Sequence, residues 1–167
     1  MSFTIQGTRS RGEHTVEIDE YVPLTIQWPG YAHLRQTPQT VTLDVGASLV
    51  EIKTDRDSGE TVEFVLVDMS HPEISETPLS IPDIMESGIP LLSYDGSDQD
   101  DSASGVHLHA DGLRVCFSQE RATRIVGIPG TVFEFTEMGQ LVQFNVLLGL
   151  DCMAQLRACV ASPGQRH

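Results

Sequence analysis

Two imidazoles two positions apart, His107 and His109, followed by Asp111, are the residues of this chain best suited to chemistry. In an extended segment alternate side chains point the same way. His107 and His109 would then share a face and hold one metal ion, with Asp111 as a third ligand. Such a set would make a small metal-dependent β-barrel enzyme. The positions four and five after His109 are Leu113 and Arg114, however, and the next acid is Glu120. The expectation is therefore two exposed histidines beside an acidic loop, with no metal and no other cofactor.

A second candidate is the run Asp95-Gly96-Ser97-Asp98-Gln99-Asp100-Asp101, whose oxygens suit Ca²⁺. A helix–loop–helix calcium loop starting at Asp95 needs a glutamate twelfth, where Val106 stands. One starting at Asp98 meets His109 there. Only adventitious cation binding is expected. Nucleophilic chemistry finds no motif either. There is no G-x-S-x-G, no P-loop and no G-x-G-x-x-G, and Cys116 lies in an apolar segment where an inert thiol is expected.

Charge is more informative. Between Arg56 and Arg114 there is no lysine or arginine, but there are thirteen acids. Net charge is −2 over residues 1–56, −13 over 57–113 and +1 over 114–167, within a total of −14. A field of that sign repels nucleic acid and anionic membrane surfaces and attracts basic partners. The candidate partner-binding residues are the acids Glu73, Glu76, Asp83, Glu86, Asp95, Asp98, Asp100 and Asp101. Trp28 and Tyr31, flanking Pro29-Gly30, are candidate aromatic anchors, although a core position suits Trp28 better.

These residues must be held by strands. With 40% hydrophobic and 20% charged residues, the chain has the composition of one ordinary globular domain. Residues 1–14 are polar, no apolar run approaches a membrane span, and the three cysteines form no C-x-x-C pair, so a reduced, cytoplasmic setting is expected. Period-two alternation predicts strands over 3–6, 15–20, 24–28 (beginning at Pro23 or lying at an edge), 41–45, 49–54 and 61–69. The last two form a hairpin about Ser58-Gly59. The segment 61–69 is apolar on both faces, which predicts a central strand.

Residues 71–112 form an acidic Pro/Asp/Ser/Gly-rich insertion. It is expected to hold a helical turn over 82–87, a short strand over 89–94 and a mobile loop over 95–105. Further hairpins are predicted over 106–118 and 132–148, with a strand over 124–128 between them. The only expected helix spans 151–160, with Asp151 able to cap it. The fold expected is mainly β, with α+β as the alternative: antiparallel hairpins in a sheet or two-layer sandwich, one domain over 1–167, and one C-terminal helix. A faint internal echo joins Val50-Glu51-Ile52 and Val62-Glu63-Phe64 to Phe133-Glu134-Phe135 and Val142-Gln143-Phe144.

The stretch from Pro23-Leu24-Thr25-Ile26-Gln27-Trp28 through Val41 to Val45, Ser48-Leu49-Val50-Glu51-Ile52 and Asp57-Ser58-Gly59 to Phe64-Val65-Leu66-Val67 resembles small bacterial proteins. Some of these look like the immunity proteins of contact-dependent and other polymorphic toxin systems. The resemblance covers roughly residues 21–70, with a fainter echo at 124–148, and rests on a hairpin pattern. It implies a cytoplasmic, non-enzymatic binding protein that blocks a cognate toxin domain, often a basic nuclease. It carries over no functional residue.

Overall fold

In the computed structural model, which describes residues 2–96 and 104–160, half of the chain is strand and 11% is helical. The alternating segments do become strands, and they do so in two equivalent sets. The first set is β1 (Ser2–Arg9), β2 (Thr15–Glu17), β3 (Leu24–Gln27), β4 (Gln39–Val45), β5 (Ser48–Thr54) and β6 (Thr61–Asp68). Two short strands follow, β7 (Glu73–Ile74) and β8 (Glu86–Ser87). The second set is β9 (Ile89–Asp95), β10 (Gly105–Leu108), β11 (Gly112–Cys116), β12 (Arg124–Ile128), β13 (Thr131–Phe135) and β14 (Leu141–Leu147), and the helix α1 (Gly149–Val160) closes the chain.

One sheet has the order β2-β3-β6-β5-β4 and the other contains β10-β11-β14-β13-β12. These are the same order, antiparallel at every step. The registers agree residue by residue. The row Ile26–Phe64–Ile52–Val41 in the first sheet corresponds to Val115–Phe144–Phe133–Val126 in the second. One irregularity recurs in both hairpins, while the register shift between Leu49 and Val50 is confined to the first. Lys53 pairs with Glu63 and Thr54 with Thr61, which skips Val62; Glu134 pairs with Gln143 and Phe135 with Leu141, which skips Val142. A bulge at the same place in both hairpins re-aims the same strand end twice.

The strands β1 and β9 pair with each other, with Ile5 opposite Leu92. Each also reaches the hairpin turn of the other half: Ile5 N donates to Gly139 O (2.9 Å) and Leu92 N to Gly59 O (2.7 Å). Both turn glycines are left-handed (φ 78° and 83°), a conformation that costs other residues about 1–2 kcal/mol. The chain is thus built from two structurally equivalent β units related about the β1–β9 ribbon. The echo falls on the equivalent hairpins β5–β6 and β13–β14. Its second strand corresponds directly, whereas its first is offset by two residues, since Ile52 matches Phe133.

The apolar faces of the two sheets meet in one core. Phe64 and Phe144 approach to 4.8 Å between ring centroids, and Phe133 and Phe144 to 4.7 Å. The strand β6 is central in its sheet, as its two-sided apolar pattern requires. Strand β3 begins just after Pro23 and has partners on both sides, so it is not an edge strand.

Residues 82–87 are not helical. A single turn gains too little to nucleate, and the free edge of β12 offers backbone partners instead. Met85 N donates to Ile125 O and Gly88 N to Gly127 O, which leaves β8 extended and parallel to β12. Helix α1 starts at Gly149, two residues ahead of Asp151, which sits in the first turn; Met153 and Leu156 are buried. Among the described residues no helix is long and apolar enough to cross a membrane.

His14 packs on the β12–β13 turn, where a Cβ at Gly130 would lie 3.3 Å from its ring, and its buried Nδ1 has no partner. Burial holds the imidazole below the ordinary histidine value, against the opposing pull of Glu13. A depressed folded value means the neutral ring is favoured. The associated stability is complete above the unfolded value of about 6.5 and is lost as pH falls through the folded one. Urea denaturation at pH 7 and pH 5 should show a larger acid loss in the native chain than in H14F. Equal losses would place the acid sensitivity elsewhere.

Candidate functional site

The outward positions of the second sheet carry a polar row. Cys116 Sγ donates to Gln143 Oε1 (3.2 Å), Gln143 Nε2 donates to Glu134 Oε2, and Asn145 Nδ2 donates to the same oxygen at 2.7 Å. Arg114 Nε donates to Asn145 Oδ1 (2.9 Å), and its Nη2 to Ser80 O. On the neighbouring strands His107 Nδ1 meets Glu73 Oε2 at 3.0 Å.

Above this row lies a cleft of about 780 Å³, walled by 45–48, by 70–73 and by 118–120 with Ala122. Among the described residues its ionisable lining is Glu73, Glu120, Glu134, His71, His107 and Cys116, with no lysine or arginine. His71 is the one non-glycine residue with positive φ among the described residues (49°). Backbone strain of this kind collects where a structure holds a side chain for a purpose. A smaller recess of about 350 Å³ continues past Glu73, His107, Cys116 and Gln143 to His109 and Arg114.

Burial pushes the Cys116 thiol up, away from the thiolate that a nucleophile requires. The histidine pair does not assemble with Asp111 as a metal site. The alternation ends with β10 at Leu108, so His109 lies in the turn. Asp111 Oδ1 accepts from Leu79 N (2.8 Å), and its carbonyl accepts from Leu148 N and Gly149 N. No three His, Cys, Asp or Glu side chains among the described residues are placed to hold an ion.

The acidic candidates are divided by the sheet. The strand β7, with Glu73, adds to β10 at one edge, and β8, with Glu86, adds to β12 at the other. Six strand spacings of about 4.8 Å put these edges roughly 29 Å apart. Glu73, Glu76 and Glu86 have partners: Glu73 has His107, Glu76 has Arg157 (3.3 Å), and Glu86 has a two-pronged bond from Arg124 that holds its carboxyl below the usual range. The arginines come from the last third of the chain, so the charge segregation of the sequence is partly neutralised in space.

Asp83 and Asp95 are exposed, while Asp98, Asp100 and Asp101 lie outside the described residues. Trp28 is not a surface anchor. It is 2% exposed, packs on Phe133 and Phe144, and directs Nε1 at Thr131 Oγ1 (3.4 Å). The period that makes Leu24, Ile26 and Trp28 one inward face placed it there. Tyr31, at 36% exposure, stays at the surface.

Glu120, Glu134, Gln143 and Cys116 were not singled out from the sequence as a group. One signal existed: Glu134 is a lone acid inside the otherwise apolar run Val132–Phe135. Compared with known proteins, the chain matches no family model and no curated sequence.

Proposed function

We infer that the protein is a non-enzymatic binding protein of the immunity type, which captures a basic partner, a toxin domain, over the cleft side of its second sheet. The observation that carries this is the cleft itself, whose three carboxylates are accompanied by no lysine or arginine among the described residues. A concave site lined by one sign of charge between low-dielectric walls focuses the field of the whole molecule, here −14, on an approaching cation. A toxin surface that accepts phosphates is basic, and carboxylates can occupy it and raise the rate of encounter. Burial raises the Cys116 thiol away from the thiolate a nucleophile requires, and His107, His109 and Asp111 do not converge on one point.

The test is a titration against the toxin domain encoded beside the gene, with growth rescue on co-expression. The native protein should bind and protect, and E73Q/E120Q should bind at least about tenfold more weakly, since one desolvated charge pair contributes about 1.5–7 kcal/mol. A metabolic gene in the toxin's place, or equal binding by the variant, overturns the assignment.

A further inference from the structure

The two units provide an internal comparison for the polar row. By register, Glu63 in the first sheet corresponds to Gln143 in the second, Gln27 to Cys116, and Lys53 to Glu134. In the first unit the row is closed. Glu63 is buried and accepts from Lys53 Nζ (2.8 Å) and Gln27 Nε2 (2.6 Å).

The second unit keeps a buried carboxylate, Glu134, but replaces the lysine. Its donors are two neutral amides, and both fall on Oε2, which leaves Oε1 to the cleft. Glu134 is 9% exposed, so its charge is largely removed from water. The cation of the row, Arg114, is engaged with Asn145 and the Ser80 carbonyl, and His107 with Glu73. A carboxylate this buried ordinarily has a cation, as Glu63 does, and around Glu134 the open space is where one would fit.

We propose that the cleft is a subsite for an alkylammonium or guanidinium head, which binds the Glu134 carboxylate and supplies the charge that Lys53 supplies to Glu63 in the first unit. Glu73 and Glu120 then line its approach and Gln143 offers its amide. The proposal deepens the binding function above: the head belongs to a lysine or arginine side chain of the basic partner. A free amine has the same chemistry and serves as the probe.

The experiment is an amide-shift titration of the ¹⁵N-labelled full chain with N-acetyl-lysine methylamide and N-acetyl-arginine methylamide, with N-acetyl-norleucine methylamide as the neutral control. Both cations should give saturable shifts centred on Cys116, Glu134 and Gln143, and the control should give none. E134Q should weaken binding at least about tenfold and E76Q should leave it unchanged. Q143K places an internal ammonium beside Glu134, the inverse of the Lys53–Glu63 pair, so it should abolish probe binding with no loss of melting temperature. This arm decides the matter if E134Q does not fold.

Unsaturated shifts spread over all acids, a control that binds as well as the cations, or full binding by Q143K overturns the subsite. Loss of probe binding in the presence of the toxin domain assigns the head to the partner, whereas simultaneous binding assigns it to a small amine. The amine titration needs no partner, so its failure beside an intact toxin complex removes the subsite alone. A bound amine without a toxin complex removes the immunity function alone.

Discussion

Replacing Gly30 by alanine is expected to lower the stability of this protein by about 3–5 kcal/mol, the cost of disrupting a buried ion pair. A Cβ at Gly30 would lie 2.2 Å from Glu60 Oε2 and 2.8 Å from its Cδ. The φ of Gly30 is not left-handed, so the penalty is contact and not backbone strain. Glu60 cannot yield cheaply. It is 1% exposed and accepts from Arg11 Nε (2.9 Å) and Nη2 (3.4 Å), with Arg9 Nε at 3.8 Å. Its backbone is also bridged to Leu91 beside the β1–β9 ribbon.

Moving the carboxylate separates it from its arginine inside a medium that solvates it poorly. R11A should therefore cost about 2–4 kcal/mol, somewhat less because Arg9 remains and the Arg11 side chain is a quarter exposed. The two changes act through one contact, so the double variant should fall short of their sum. Urea unfolding measures all three, with the midpoint moving and the slope preserved. A G30A loss below about 1 kcal/mol would mean that Glu60 has room that its packing denies.

The second large effect concerns partner binding and follows from the division of the acids between two edges. Neutralising Glu73 and Glu76 together (E73Q/E76Q) should weaken the partner complex about tenfold or more, and D83N/E86Q should change it little. The edges lie roughly 29 Å apart, more than three times the screening length of about 8 Å at physiological salt, so they act independently. Glu73 lines the cleft, whereas Glu86 is held by Arg124 at the far side.

The association rate of the native protein should also fall as salt rises from low values, with a shallower slope in E73Q/E76Q. Both variants should fold, since exposed pairs contribute at most about 1 kcal/mol. Equal affinities for the two variants, with equal salt slopes, would move the binding face away from the cleft, and Tyr31, in the short 3-10 helix Pro29–His33 after β3, would become the first place to look.

What the sequence by itself determined was local. The alternation of Val41, Leu43 and Val45, of Leu24 and Ile26, and of Phe133 and Phe135 set which side of each strand is apolar, because side chains in an extended chain alternate whatever lies beside them. Glycines at 59 and 139 marked the turns, because a left-handed residue costs other side chains energy there. The mainly antiparallel β architecture and the C-terminal helix follow from these local preferences, and the longer strands were legible to within a few residues, whereas the two-residue edge strands β7 and β8 were not.

Tertiary structure decided everything that depends on which strand lies next to which. The expected helical turn over 82–87 gave way to an extended segment whose end, Glu86–Ser87, is a parallel edge strand, because β12 had unpaired backbone groups, a fact held forty residues further along the chain. The single acidic stretch was cut into two edges, and its glutamates met arginines 124 and 157 from the far end. The correspondence of Lys53 with Glu134, which singles out the cleft carboxylate, exists only in the register of two hairpins that share few residues. Pairing energy between strands resides in contacts distant along the chain, and local pattern does not encode the partner.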